Sequence, residues 1–302
     1  MASNSEKKLS DTRGSHFGIT FFKVFLRIFG LTHACGMVWF VTFFYTVFDR
    51  TAKRKLMPYL DHRFPEDNRI LRFWHVWSVF THQGIALLLQ EAYKMKMITA
   101  EVIHYDEESR RLSYSSDPLV LVYSHLGPWQ TAMSTMTLEN NKMTILMQKD
   151  INPNTQKMDL LKNDSRMEKV SLVSSPSMGG GLLELSAALE RGEFIAIMGD
   201  RCFETNPAAV PFLGETAHFP TAAFFLAARY HAPVVLMFSD MDWKEKKVLM
   251  RFGKVIHPEM RKRDRKSLLP YLTEYVKEIE RYCMIHPYDC FLFDDIWSTD
   301  RK

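Results

Sequence analysis

One histidine stands where this chain can best do chemistry. The apolar run Pro118 to Tyr123 leads directly into Ser124, His125, Leu126, Gly127, Pro128, Trp129 and Gln130. The run is short, rich in branched residues and bounded by turn formers, so it reads as a buried strand. A side chain just past the carboxyl end of such a strand faces the crevice where open α/β sheets bind ligands. An imidazole there can act as a general base near neutral pH. The Gly127–Pro128 pair forces a turn, and Thr131 to Leu138 then starts a helix whose amide end favours negative charge. A second strand, Phe194 to Met198, ends in Gly199, Asp200 and Arg201, and its end opens onto the same crevice. Asp200 can orient a ring or an arginine, and the planar fork of Arg201 suits phosphate or a developing oxyanion. An ion pair across a loop is the competing reading of that pair.

Alternating helix and strand signals position these residues. Arg69 to Ala100 carries apolar residues at helical spacing. Glu101 to Tyr105 and Arg111 to Tyr114 flank a charged turn and read as a hairpin. Strands follow at 143–148, 170–173, 194–198, 234–239 and 248–252, with helices at 182–191, closed by Gly192, and at 221–230 and 267–282. The pattern specifies an α/β fold with a mainly parallel or mixed central sheet covered by helices on both faces. The 302 residues show no linker or repeat. They divide into a disordered polar tail (1–16), an apolar membrane-associating helix with a basic flank (17–55) and one α/β domain (56–302).

The N-terminal segment is the most unusual in composition. Between Phe17 and Phe48 lie ten aromatic residues besides Phe17 itself, interrupted by Lys23, Arg27 and His33. The uninterrupted part, Ala34 to Phe48, falls short of the roughly 20 residues needed to span a bilayer. It reads as an embedded interfacial helix, and the basic cluster at 50–55 as its contact with anionic headgroups. A buried core helix is the alternative. A net charge of +4 with no recognisable nucleic-acid motif gives no reason to expect a nucleic-acid partner. The four cysteines, Cys35, Cys202, Cys283 and Cys290, lack paired spacing, which argues against a disulfide framework or a zinc site.

Other motifs are weaker. Ser177 to Gly181 precedes a helix but lacks the ending of a nucleotide-binding P-loop. Lys142, Lys149, Lys157, Lys162 and Arg166 form a basic stretch that is either a solvated face or a docking site for an acidic partner. No G-x-S-x-G elbow marks a serine hydrolase.

Read with segments downstream, the histidine motif resembles the lysophospholipid acyltransferase superfamily, and most of all its branch of bacterial lipid A biosynthesis acyltransferases. The resemblance rests also on Gly199-Asp200-Arg201, on Val210 to Gly214 running through His218-Phe219-Pro220-Thr221 to Arg229, on Ala232 to Val235, and on the aromatic closing segment Pro287 to Trp297. Family members carry Asp or Glu five positions after the histidine, where this chain has Gln130. The resemblance implies direct transfer of a fatty acyl chain from an acyl carrier protein or coenzyme A thioester, as co-substrate, to a lipid or glycolipid acceptor, with no cofactor. His125 would be the base, Gln130 would hold its ring with Asp200 as the carboxylate able to substitute, and backbone amides with Arg201 would stabilise the oxyanion. Gly127, Trp129, Lys149, Gly214, Pro220 and Thr221 are the candidate substrate contacts, and the apolar helices around Trp74 to Tyr93 with the Met-rich stretches are candidates to line an acyl groove, plain core being the alternative. The setting it implies is the cytoplasmic face of a bacterial inner membrane, peripheral or anchored by the N-terminal helix. The alternative is an acyl-lipid-binding or partner-assisting protein impaired by Gln130.

Overall fold

The computed structural model describes residues 16–135, 142–148, 170–175, 178–201, 207–261 and 264–298. The tail before residue 16, Lys149, Lys157, Lys162 and Arg166 lie outside them. Three helices come first: α1 (His16–Phe48), α2 (Arg50–Arg63) and α3 (Arg69–Lys94). Each start has a local cause. The Asp49 side chain accepts the Ala52 amide at 2.9 Å, and Asn68 accepts the amides of Ile70 and Leu71, both at 3.0 Å; such caps are worth about 1 kcal/mol each. The helix α1 is kinked at Gly30.

Strand β1 (Thr99–His104) follows, then α4 (Glu107–Ser113). The expected hairpin is absent here. Asp106 and Ser109 instead form a reciprocal capping box, so the charged stretch taken for a turn is the first turn of a helix. The remaining elements are β2 (Leu119–Tyr123), α5 (Trp129–Thr135), β3 (Met143–Gln148), β4 (Val170–Ser175), α6 (Met178–Glu190), β5 (Phe194–Met198), β6 (Ala208–Phe212), β7 (Glu215–Phe219), α7 (Ala222–Tyr230), β8 (Val234–Asp242), β9 (Lys247–Ile256) and α8 (Leu269–Ile285). Gly179 to Gly181 lie within the first turn of α6 rather than in a loop before it.

Seven strands form one mixed sheet in the order β1-β9-β8-β2-β5-β3-β4, with β8 and β9 antiparallel and the other neighbours parallel. Strand β2 sits at its centre, and all five of its residues are buried. Each such side chain contributes roughly 1.5–3 kcal/mol by leaving water. Alternation sends Val120, Val122, Ile195, Ile197, Val234 and Leu236 to one core and Leu119, Leu121, Phe194, Ala196, Val235 and Met237 to the other. Helices α6, α7 and α8 cover the first face; α1, α5 and the second half of α3 cover the second. A separate hairpin, β6 with β7, turns at Leu213 and Gly214, both at positive φ.

The helix α1 packs along α3. Thr42 Oγ1 lies 2.7 Å from Thr81 Oγ1, the Trp77 indole donates to the Trp39 carbonyl at 3.0 Å, and Lys23 pairs with Glu91 at 3.3 Å. Its other face is bare: Ile28, Phe40, Phe44 and Phe48 are exposed, as are Ile70, Leu71, Trp74 and Leu87 of α3. The apolar helix extends over Thr20–Phe48, within the segment 17–55 read from the sequence, and is long enough by length and composition to cross a membrane, which the uninterrupted part 34–48 alone is not. Within the stretch 74–93, Val76, Val79, Phe80, Leu88 and Leu89 are core, and the exposed Trp74 lies against the buried Trp77 with ring centroids 4.9 Å apart.

Candidate active site

Strand register alone brings the two leading residues together. In the parallel pair β2/β5, Tyr123 is opposite Met198, and each strand runs two residues further to His125 and Asp200. The Gly199 amide donates to the Tyr123 carbonyl at 2.9 Å, extending the ladder past both ends. A side chain at 199 would not fit, since a Cβ there would lie 2.3 Å from the Tyr275 hydroxyl and 2.7 Å from Val122. That hydroxyl also lies 2.7 Å from Ser124 Oγ, so the residue before the histidine is fixed as well.

His125 Nδ1 lies 2.9 Å from Asp200 Oδ2, and the same oxygen accepts the His125 backbone amide at 2.9 Å. The carboxylate is sealed at 1 % exposure, whereas the imidazole side chain keeps 12 %. Burial pushes the Asp200 carboxyl up; the charge and hydrogen bonds of His125, with the Arg201 charge, more than offset this and leave it below the usual carboxylate range. An ionised Asp200 accepts from Nδ1–H, which leaves Nε2 as the basic nitrogen. Trp129 places its ring edge-on to the imidazole, 5.4 Å between centroids.

Gln130 does not hold this ring. The position it was expected to fill is taken by Asp200, and Gln130 Oε1 is buried without a hydrogen-bond partner. The acid that meets the ring comes from a neighbouring strand end rather than from the fifth position along the loop.

Two further amides of the loop are also engaged. The Leu126 amide donates to the Ser124 carbonyl at 2.8 Å, and the Gly127 amide to the Asp289 carbonyl at 2.8 Å. With the His125 amide on Asp200, these three N–H groups already have acceptors within the protein. Gly127 has φ +58°, and a Cβ on it would meet the Ser239 carbonyl oxygen at 2.1 Å; only glycine fits.

The closing segment after α8 lies across this loop. The Phe291 amide donates to the His125 carbonyl at 2.9 Å, and Leu126 and Cys290 form an antiparallel bridge. Asp200 and Arg201 line a narrow cleft, without room for a water molecule, together with Phe291 to Asp294 and Ile296 of that segment. Arg201 pairs with Asp294 at 3.5 Å, so it is the cationic group beside Asp200 and is held by a carboxylate across the cleft.

The other expected contacts scatter. Gly214 is exposed at the hairpin tip, and the hairpin bonds to α8 and the closing segment: the Leu213 amide donates to Glu280 at 2.8 Å and the His218 amide to the Ile296 carbonyl at 2.7 Å. Pro220 and Thr221 are buried where α7 begins. The hairpin therefore supports the wall of the cleft through Ile296, with Gly214 away from the dyad. What the sequence reading missed is the use of the closing segment as a clamp. Its signal was present in the aromatic run from Pro287 to Trp297, but nothing in that run names the loop it covers.

A parallel-centred α/β sheet carries a His–Asp pair at its carboxyl rim, an arrangement in which an imidazole can act as a general base. The sequence model of the bacterial lipid A biosynthesis acyltransferases matches residues 90–299, and the chain belongs to that family. Family membership supports lipid acyltransferase activity in general. The match begins within α3, so α1, α2 and most of α3 precede it, a narrower span than the resemblance read from the first apolar helix onward. Among solved structures the chain is similar to the 1-acyl-sn-glycerophosphate (LPA) acyltransferase PlsC of Thermotoga maritima, with 12 % identity, 76 % of this chain and 96 % of that chain covered, and a TM-score of 0.39. A search of the curated proteins found no match.

Proposed function

We propose that this protein transfers a fatty acyl chain from an acyl carrier protein or coenzyme A thioester to a hydroxyl or amine of a lipid or glycolipid, with His125 as base. The observation that carries this reading is the His125–Asp200 contact at the open rim of the sheet. Nε2 takes the acceptor proton as its oxygen or nitrogen attacks the thioester carbonyl. Asp200 holds the ring in the tautomer that leaves Nε2 free and stabilises the imidazolium. When the tetrahedral intermediate collapses, the C–S bond breaks and the imidazolium returns its proton to the thiolate. No acyl-enzyme is needed: Ser124, the hydroxyl next to the base, is buried and engaged with Tyr275. Arg201, next to Asp200 in the chain, would stabilise the oxyanion.

The bare apolar face shared by α1 and α3 would rest in the membrane, with Arg50, Lys53, Arg54 and Lys55 of α2 toward anionic headgroups on the cytoplasmic side. The acceptor then reaches the site from the bilayer. The reading as an impaired lipid binder rests on the missing carboxylate at position 130, and the contact of Asp200 with His125 supports the active enzyme over it.

Purified protein incubated with acyl carrier thioester, or acyl-coenzyme A, and a membrane lipid extract should give a new acylated lipid by mass spectrometry. His125→Ala should abolish it, and Gln130→Glu should stay within about threefold of the parent, because a ring already oriented by one carboxylate gains little from another. Product formed equally by His125→Ala would overturn the proposal, as would free fatty acid as the only product.

A further inference from the structure

A second histidine–carboxylate pair stands behind the first. His82, midway along α3, places Nδ1 2.8 Å from Asp289 Oδ1, and the Asp289 main-chain carbonyl accepts the Gly127 amide at 2.8 Å. The next two residues of the closing segment continue the attachment, Cys290 bridging Leu126 and the Phe291 amide bonding the His125 carbonyl. Tyr288, just before, sits edge-on to His82 and 3.1 Å by its hydroxyl from His75 Nδ1; His75 in turn bonds Asp67 through Nε2 at 2.5 Å. The closing segment is thus pinned on one side to the catalytic loop and on the other to α3. His82 and Asp289 are both partly open to solvent, so nothing in core packing calls for an ion pair there.

Resting on the acyl-transfer reading above, we infer that His82 and Asp289 are positioning residues: they fix the closing segment so that its backbone holds His125, Leu126 and Gly127 in the geometry that general-base transfer needs. His82 touches no reacting atom in this arrangement. It acts through the Asp289 carbonyl, whose place depends on the carboxylate one side chain away. A carbonyl that drifts releases the Gly127 amide and lets the whole His125 turn shift, and displacement of about 1 Å at a catalytic group can cost on the order of a hundredfold in rate.

The test uses the full chain carrying His82→Ala and His82→Asn, since the Asn side-chain amide can replace Nδ1–H as the donor to Asp289. Turnover and amide hydrogen exchange are measured on each. His82→Ala should lower kcat about tenfold to a hundredfold with KM within about threefold, and His82→Asn should restore most of it. In parallel, exchange in peptides covering 124–128 and 287–291 should accelerate about tenfold in His82→Ala, while 119–123 stays protected, and should recover in His82→Asn. Unchanged turnover and exchange in His82→Ala would overturn the inference, as would an Asn variant as impaired as the Ala one. Should the parent protein transfer no acyl group at all, the acyl-transfer reading falls, and the exchange pattern by itself decides whether His82 positions the loop.

Discussion

At the scale of single residues, the site depends on one oxygen. Asp200 Oδ2 receives both the ring and the backbone amide of His125, so losing the carboxylate frees the imidazole and the start of its loop together. That double use has a consequence for stability against acid. The folded carboxyl lies below its ordinary value, and a depressed carboxylate stabilises the fold at pH above the unfolded value near 3.9, losing this contribution as pH falls through the folded one. Urea denaturation of the parent and of Asp200→Asn across pH 3 to 7 should therefore show a stability gap that is full above about pH 5 and narrows below about pH 4. A gap that widens toward acid would contradict the assigned charge state. Gln130 marks the limit of residue-level reading: the departure from Asp or Glu was visible in the sequence, but its consequence depended on which strand lies beside β2.

Among elements, most strands and helices were legible because their apolar periodicity and turn residues agreed. Strands β2 and β5 are short buried runs, α6 ends at Glu190 two residues before Gly192, and α7 begins at Ala222 two residues after Pro220, close to the bounds the sequence indicates. The failures were of two physical kinds. Asp106 to Ser109 is polar enough for a turn, and only the reciprocal hydrogen bonds of a capping box distinguish it as a helix start. Cys283 and Cys290 looked unrelated by spacing, yet the bend after α8 brings their sulfurs within 2.8 Å, a contact no local pattern encodes. The turn after β2 gives the sharpest test at this scale. Gly127→Ala must hold a left-handed backbone and press a methyl into the Ser239 carbonyl, costing at least about 2 kcal/mol. A thermal melt should fall by several degrees; an unchanged melting temperature would show that the loop is looser than the clamp requires.

For the whole molecule, the sheet places the dyad at one rim while α1 and α3 present an apolar face to the surroundings, and the closing segment ties α3 to the catalytic loop. The site is thereby linked mechanically to the surface proposed to meet the bilayer. Phe40→Glu with Phe44→Glu, on the exposed side of α1, should reduce cosedimentation with lipid vesicles severely, because both side chains leave water only if the face inserts. Replacing Lys53, Arg54 and Lys55 by Gln should weaken binding to vesicles rich in anionic lipid by about 1 kcal/mol per charge while sparing neutral ones. Equal binding by all these variants would place the membrane contact elsewhere.

The account depends most on Asp200 rather than Gln130 orienting the base. Steady-state kinetics of Asp200→Asn, checked for folding by circular dichroism, tests this most directly. The predicted result is a fall in kcat of roughly ten-thousandfold at little-changed KM, as expected when an amide imposes the wrong tautomer on an otherwise intact imidazole. Folded Asp200→Asn protein that turns over at the parent rate would contradict it.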